Sequence, residues 1–282
     1  MNCLFATDLH GNITRYRKLL DTIGQEKPEA VFLGGDLLPH GFGIDGPHAD
    51  FIEEYLAPEF LKLKENLDRN YPRVFMIPGN DDPRIEEQKL LRLEQSNIWS
   101  YAHRRTIEFG PFSVLGYALV PPTPFLLKDW ERYDVSRYVD PGCVSPEKGH
   151  RSIEVPANET RYRTIQKDLE SLTANLDMAN CICLFHSPPH KTSLDRADLD
   201  GKMVDHVPLD VNVGSIAIRR FIEERQPLLT LHGHIHESTR LTGSWRDRIG
   251  RTHMFNAAHE GPELALVRFD PEDLDGARRE LI

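Results

Sequence analysis

The sequence predicts an α/β fold with its site at one edge of a sheet, and three observations carry that reading. Five short apolar runs rich in Val, Ile, Leu and Phe recur along the chain, each stops at a side chain of a type that binds metal, and the first leads straight into helical periodicity. Runs of four to six apolar residues bounded by Gly and Pro read as strands buried on both faces. Side chains just past such strands collect at one sheet edge, where open α/β folds place their sites.

In chain order, the first run, Cys3–Ala6, ends at Asp8 and His10. Ile13, Tyr16, Leu20 and Ile23 then follow at helical spacing, with Asn12 placed to cap. The run Ala30–Leu33 ends at Gly35 and Asp36, a second helix is expected over residues 51–67, and the run 74–77 ends at Gly79 and Asn80. Residues 83–95 read as a further helix and Phe112–Tyr117 as a strand leading into Pro121-Pro122-Thr123-Pro124. Residues from about 121 to 160 hold Trp130, Tyr133, Tyr138 and several prolines without clean periodicity. A long irregular stretch inside a compact domain is a functional loop or a disordered one, so a surface insertion is expected, with a lid over substrate as the alternative. Cys181–Phe185 ends at His186, and Ser215 reads as the N-cap of a helix through Ile218, Arg219, Phe221 and Ile222. An ordinary cap is expected there, although a helix start beside a metal site is also a place for phosphate. The run 228–231 ends at Gly233-His234-Ile235-His236, Asn256 and His259 are expected near the site without binding metal, and residues 271–282 read as a charged terminal extension.

Length and composition set the outer bounds. With 282 residues, 39% of them hydrophobic, the chain can bury a large core and reads as one domain over residues 1–282 with an insertion at about 121–160. A net charge of -10 argues against broad binding to nucleic acid or an anionic membrane surface. Of the four cysteines, Cys3, Cys181 and Cys183 fall on expected buried strands, and the last two alternate with Ile182 and Leu184, which suits core packing rather than a disulfide framework or metal clip. No apolar run approaches a membrane span, and a ligand-bearing strand beginning at residue 2 leaves no room for a signal peptide, so a cytoplasmic protein is expected.

Asp8, His10, Asp36, Asn80, His186, His234 and His236 offer nitrogen and oxygen donors with no thiolate. Such a set suits divalent Mn, Fe, Zn or Ni, and carboxylate oxygen suits Mn in particular. It is too large for one ion; with one bridging aspartate it would hold two and leave positions open for water and substrate. The order Asp-x-His, Gly-Asp, Gly-Asn, His, Gly-His-x-His from Asp8 to His236 resembles the calcineurin-like metallophosphoesterase superfamily. Pro122-Thr123-Pro124-Phe125, His186-Ser187-Pro188-Pro189 and the stretch from Gly214 through Arg219 and Arg220 to Ser238 are similar to its bacterial and archaeal cytosolic phosphoesterases related to the cyclic-AMP phosphodiesterase type.

The resemblance implies a two-layer sandwich of mixed β-sheets flanked by helices. It implies two divalent metal ions, the first held by Asp8, His10 and His236, the second by Asn80, His186 and His234, with Asp36 bridging. It also implies a small phosphorylated substrate attacked by a hydroxide held between the ions. The chain departs from the family at Asp81, where strong phosphatases carry a histidine that protonates the leaving oxygen. A carboxyl beside two cations is held ionised, is a poor acid and repels a phosphoryl dianion, which favours phosphodiesters over monoesters. His190, four residues past His186, is the candidate replacement acid. A phosphomonoesterase or phosphoprotein phosphatase would need such an acid. A non-catalytic scaffold on the same fold would be expected to lose ligands, and none is missing.

Overall fold

A computed structural model describes residues 1–39 and 50–282. In chain order the strands are β1 (Cys3–Ala6), β2 (Ala30–Leu33), β3 (Arg73–Met76), β4 (Ser100–Tyr101), β5 (Thr106–Phe109), β6 (Phe112–Tyr117) and β7 (Cys181–Phe185). They continue as β8 (Met203–Val204), β9 (Val207–Pro208), β10 (Leu229–His232), β11 (Arg246–Ile249), β12 (Thr252–Asn256), β13 (Ala265–Asp270) and β14 (Asp273–Leu281). The helices are α1 (Ile13–Glu26), α2 (Ala57–Leu67), α3 (Glu87–Glu94), α4 (Ala157–Tyr162), α5 (Ile165–Thr173), α6 (Ile216–Arg225) and α7 (Ser238–Thr242).

Two six-stranded mixed sheets result, ordered β14-β13-β1-β2-β3-β4 and β11-β12-β10-β7-β6-β5, with β8 and β9 forming a separate hairpin. Alternation along the central strands builds the sandwich: Cys3, Phe5, Phe32 and Phe75 belong to the core shared with the second sheet, while Leu4, Ala6, Val31 and Met76 join Tyr16, Leu19 and Phe60 of the helical layer. Aromatic pairs close the interface between sheets, Phe109 edge-on to Phe32 and Phe75, and Phe255 to Phe269 with ring centres 6.1 Å apart.

Register aligns the strand ends. Parallel pairing puts Ala6 beside Leu33 and Leu33 beside Met76 in one sheet, and Leu184 beside Leu231 in the other. Each chain therefore leaves its strand at the same edge, and the candidate ligands follow at once.

Two expectations are corrected. Residues 271–282 are not an extension: β14 pairs with β13 as a sheet edge, turning Leu274 and Ala277 inward while Arg268 reaches Glu26 and Glu280. A charged edge strand has only one face to bury, so its apolar signal is thin. Residues 51–67 form two elements, a π-helical turn at Ile52–Leu56 followed by α2. The stretch 121–160 lacks long elements, as expected, yet it is firmly seated. Lys128 and Glu131, both fully buried, bond each other and Thr123. Asp134 accepts from Ser215 Oγ and from Ile216 N, and Trp130 Nε1 donates to the Asp82 carbonyl at 2.7 Å.

Candidate metal centre

Strand ends, sharp turns and neighbouring backbone together set the ligand positions. Asp8 N donates to Gly35 O and His10 N to Asp36 O, which ties the turns after β1 and β2, and Gly233 N donates to His186 O, which ties those after β7 and β10. Asp8, His10, Asp36 and His234 all take left-handed backbone angles, φ 55°, 47°, 51° and 72°. A non-glycine residue there costs of order 1–3 kcal/mol and persists only where the surroundings impose it, which is the mark of a preorganised site. A side chain on Gly79 would land on the Asp36 carboxylate, and one on Gly233 on Thr7 and Asp8, so the residue before Asn80 and before His234 has to be glycine.

The side chains converge. Donor atoms of Asp8, His10 and His236 lie within 4.8 Å of one another, as do those of Asp8, Asp36 and His186, and those of His10, Asp36 and Asp81. His236 Nε2 is 3.1 Å from Asp8 Oδ1, and His186 Nε2 is 3.3 Å from Asp36 Oδ2 and 3.1 Å from Asn80 Oδ1. His234 lies beside His186, ring centres 5.2 Å apart, and its backbone N–H donates to the Asp8 carboxylate. All the ligand candidates read from the sequence thus meet in one place. Asp8, His10 and Asp36 each belong to two of these overlapping groups.

Electrostatics match a cation centre. Asp8 and Asp36 are 1% and 2% exposed, and among the described residues their ion-pair partners are histidines. Burial alone would raise both carboxyls, but His236 beside Asp8 and His186 beside Asp36 hold them below the usual range. Burial would likewise lower His186, yet Asp36 lifts it to about 10. Protonated imidazole thus occupies the electrostatic role that a divalent ion would take, and metal binding would displace that proton. The His186 Nδ1–H donates to Gly34 O, which turns Nε2 toward the centre. His234 is pushed down to about 3 by burial and the neighbouring His186, so it is neutral and ready to ligate at pH 7. An N/O donor set without thiolate around two buried carboxylates fits divalent metal.

The other sequence candidates have partners of their own. The ring nitrogens of His190 face Asp195 at 3.8 Å and Asp210 at 4.0 Å, neither of them a ligand candidate. Ser215 caps α6 as expected, and because the first N–H groups of that helix go to Asp134, this helix start is not a phosphate site. Asn256 is buried against Leu194, Ser238 and Ala258, and His259 pairs with Glu263. His232, next to the turn that carries His234 and His236, has both nitrogens taken by Ser187 O and Thr230 Oγ1.

Two positioning residues escaped the sequence reading. Asp82, 2% exposed, accepts from Leu37 N, Leu38 N and Gly79 N, and so ties the Asp36 turn to the Asn80 turn. Arg15 donates to Asp8 O and to the carbonyls of His259 and Gly261, bracing the first turn. The only sequence signal for either is proximity to a motif.

Comparison with known proteins agrees with this geometry. The family model described as calcineurin-like phosphoesterase matches residues 1–238. Phosphodiesterase YfcE of Escherichia coli strain K12 is 25% identical over 190 residues, 64% of this chain and 95% of that protein. Among solved structures, TT1561 of Thermus thermophilus superposes with a TM-score of 0.57 at 15% identity, covering 99% of this chain and 98% of that one. A dimetal phosphatase from Danio rerio superposes with a TM-score of 0.51 at 14% identity, covering 95% of each chain. At such identities the superpositions speak to the fold.

Proposed function

The chain belongs to the calcineurin-like phosphoesterase family and is a hydrolase of phosphoric esters, and from that premise we propose that it is a dinuclear metal-dependent phosphodiesterase acting on a small substrate. The observation that carries the dinuclear reading is the overlap of donor groups, in which Asp8 and Asp36 each belong to two. Asp8, His10 and His236 would hold one ion, Asn80, His186 and His234 the other, with Asp36 between them. Ions in such a pair activate water at neutral pH and offset charge on the equatorial oxygens of phosphorus. Mn suits the mixed carboxylate and imidazole donors. Four unpaired cysteines agree with a cytoplasmic setting, and no described helix is long and apolar enough to cross a membrane.

The protein's own part is to hold, orient and keep charge. The Asp81 side chain is 30% exposed and lies 3.8 Å from His10 Nδ1. No imidazole stands at this position to protonate a leaving oxygen, and an ionised carboxylate there opposes a phosphoryl dianion more than a diester monoanion. The name of the YfcE relative points the same way. The test compares kcat/KM for bis(p-nitrophenyl) phosphate and p-nitrophenyl phosphate with Mn supplied. A higher value for the diester is expected; a higher value for the monoester overturns the preference.

A further inference from the structure

We propose that Asp81 is itself a metal ligand, its carboxylate joining His10 and Asp36 on one side of the centre, and that this third acidic group lowers the charge of the site and thereby selects monoanionic diesters. The ligation stands on geometry; the selection rests on the function proposed above. Donor atoms of His10, Asp36 and Asp81 lie within 4.8 Å of one another, the bound that also holds for Asp8, His10 and His236. The placement is enforced by neighbouring bonds. Asp81 N donates to Asp36 Oδ1 at 2.8 Å, Asn80 Nδ2 approaches Asp81 Oδ1 at 3.4 Å, and the next residue, Asp82, is fixed by Leu37, Leu38 and Gly79. These bonds hold the Asp81 backbone beside Asp36, and the carboxylate lies 3.8 Å from His10.

Chemistry argues for the same role. Imidazole with carboxylate oxygen is a donor mixture that Mn, Fe and Zn accept. Two divalent ions against Asp8 and Asp36 leave the centre strongly positive, and a third carboxylate removes about half of that excess. A dianionic monoester loses more attraction by this than a monoanionic diester does. The residue that replaces the family's histidine thus changes the electrostatics of the site as well as removing an acid.

The experiment titrates Mn2+ into apoprotein by calorimetry and by electron paramagnetic resonance, for the unsubstituted chain, Asp81→Ala and Asp81→Ser. Neither substitution touches the Asp81 backbone N–H, and thermal melting of each apoprotein checks folding. If either variant fails to fold, the other carries the comparison. Loss of roughly 10-fold or more in affinity for one of the two Mn2+ equivalents is expected, the size typical of removing a group that supports a metal. Binding of both equivalents within about twofold of the unsubstituted protein overturns the ligation. The diester to monoester ratio of kcat/KM is then read at saturating Mn2+. If affinity falls but the ratio does not move toward monoesters, Asp81 is a ligand and the selection is wrong; an unsubstituted chain that prefers monoesters sinks the functional reading while the titration still decides ligation.

Discussion

Each candidate ligand stands where its strand stops, and the residue around which the others turn is Asp36. Its carboxylate lies against His186, approaches His10 at 4.0 Å and accepts from Asp81 N, so its loss disturbs both halves of the centre. Asp36→Ala should therefore cost more activity than His10→Ala when metal content is measured alongside kcat. A milder effect for Asp36→Ala would transfer the bridging role to Asp8, the other carboxylate shared between groups. Legibility at this scale followed one rule: a side chain directly after a buried strand could be read from the sequence, and a side chain whose work is to accept backbone N–H groups could not. Asp82 illustrates the second case. Burial, and then the nearby Asp36, raise its carboxyl to about 7, and what keeps it in place is three N–H donors from two turns, a relation no local pattern encodes.

At the level of elements, the strands rich in Val, Ile, Leu and Phe were visible because burial on both faces demands continuous apolar runs. The outer strands β11 and β14 carry Arg and Asp on their open faces, and their sequence reads as loop or tail. The stretch 121–160 was opaque for a different reason. Its order comes from side-chain bonds such as Lys128 to Glu131 and Trp130 to Asp82 O, which leave no periodicity. Trp130 links this stretch to the Asn80 turn, and Trp130→Phe keeps an aromatic ring while leaving the buried Asp82 carbonyl without its donor. Urea unfolding should show a loss of about 1–3 kcal/mol, the cost of one unsatisfied buried polar group, together with lower metal retention on dialysis. Unchanged stability and metal content would mean that the insertion does not brace the site.

Across the whole molecule, the two sheets bring together turns from β1, β2, β3, β7 and β10, and the charges gathered there make stability depend on pH and on metal. His186 is raised from 6.5 to about 10 by Asp36 against the opposing effect of burial, so its contribution to the apoprotein is fully present below about pH 6.5 and lost as pH rises through about 10. Asp8 and Asp36 are lowered by their histidines against burial, so their contribution is present above the ordinary carboxylate range and lost on acidification. The melting temperature of the apoprotein should fall from pH 6.5 toward pH 10, and metal should flatten that decline because it displaces the His186 proton; a decline identical with and without metal would contradict this. Phosphodiester hydrolysis should depend on divalent ions held by the converging Asp, Asn and His side chains. The most direct test of this dependence is to strip metal with a chelator, verify removal by elemental analysis, and assay an aryl phosphodiester before and after adding Mn2+. Loss of hydrolysis and its return with Mn2+ is the predicted result, and full activity in the metal-free protein would contradict the account.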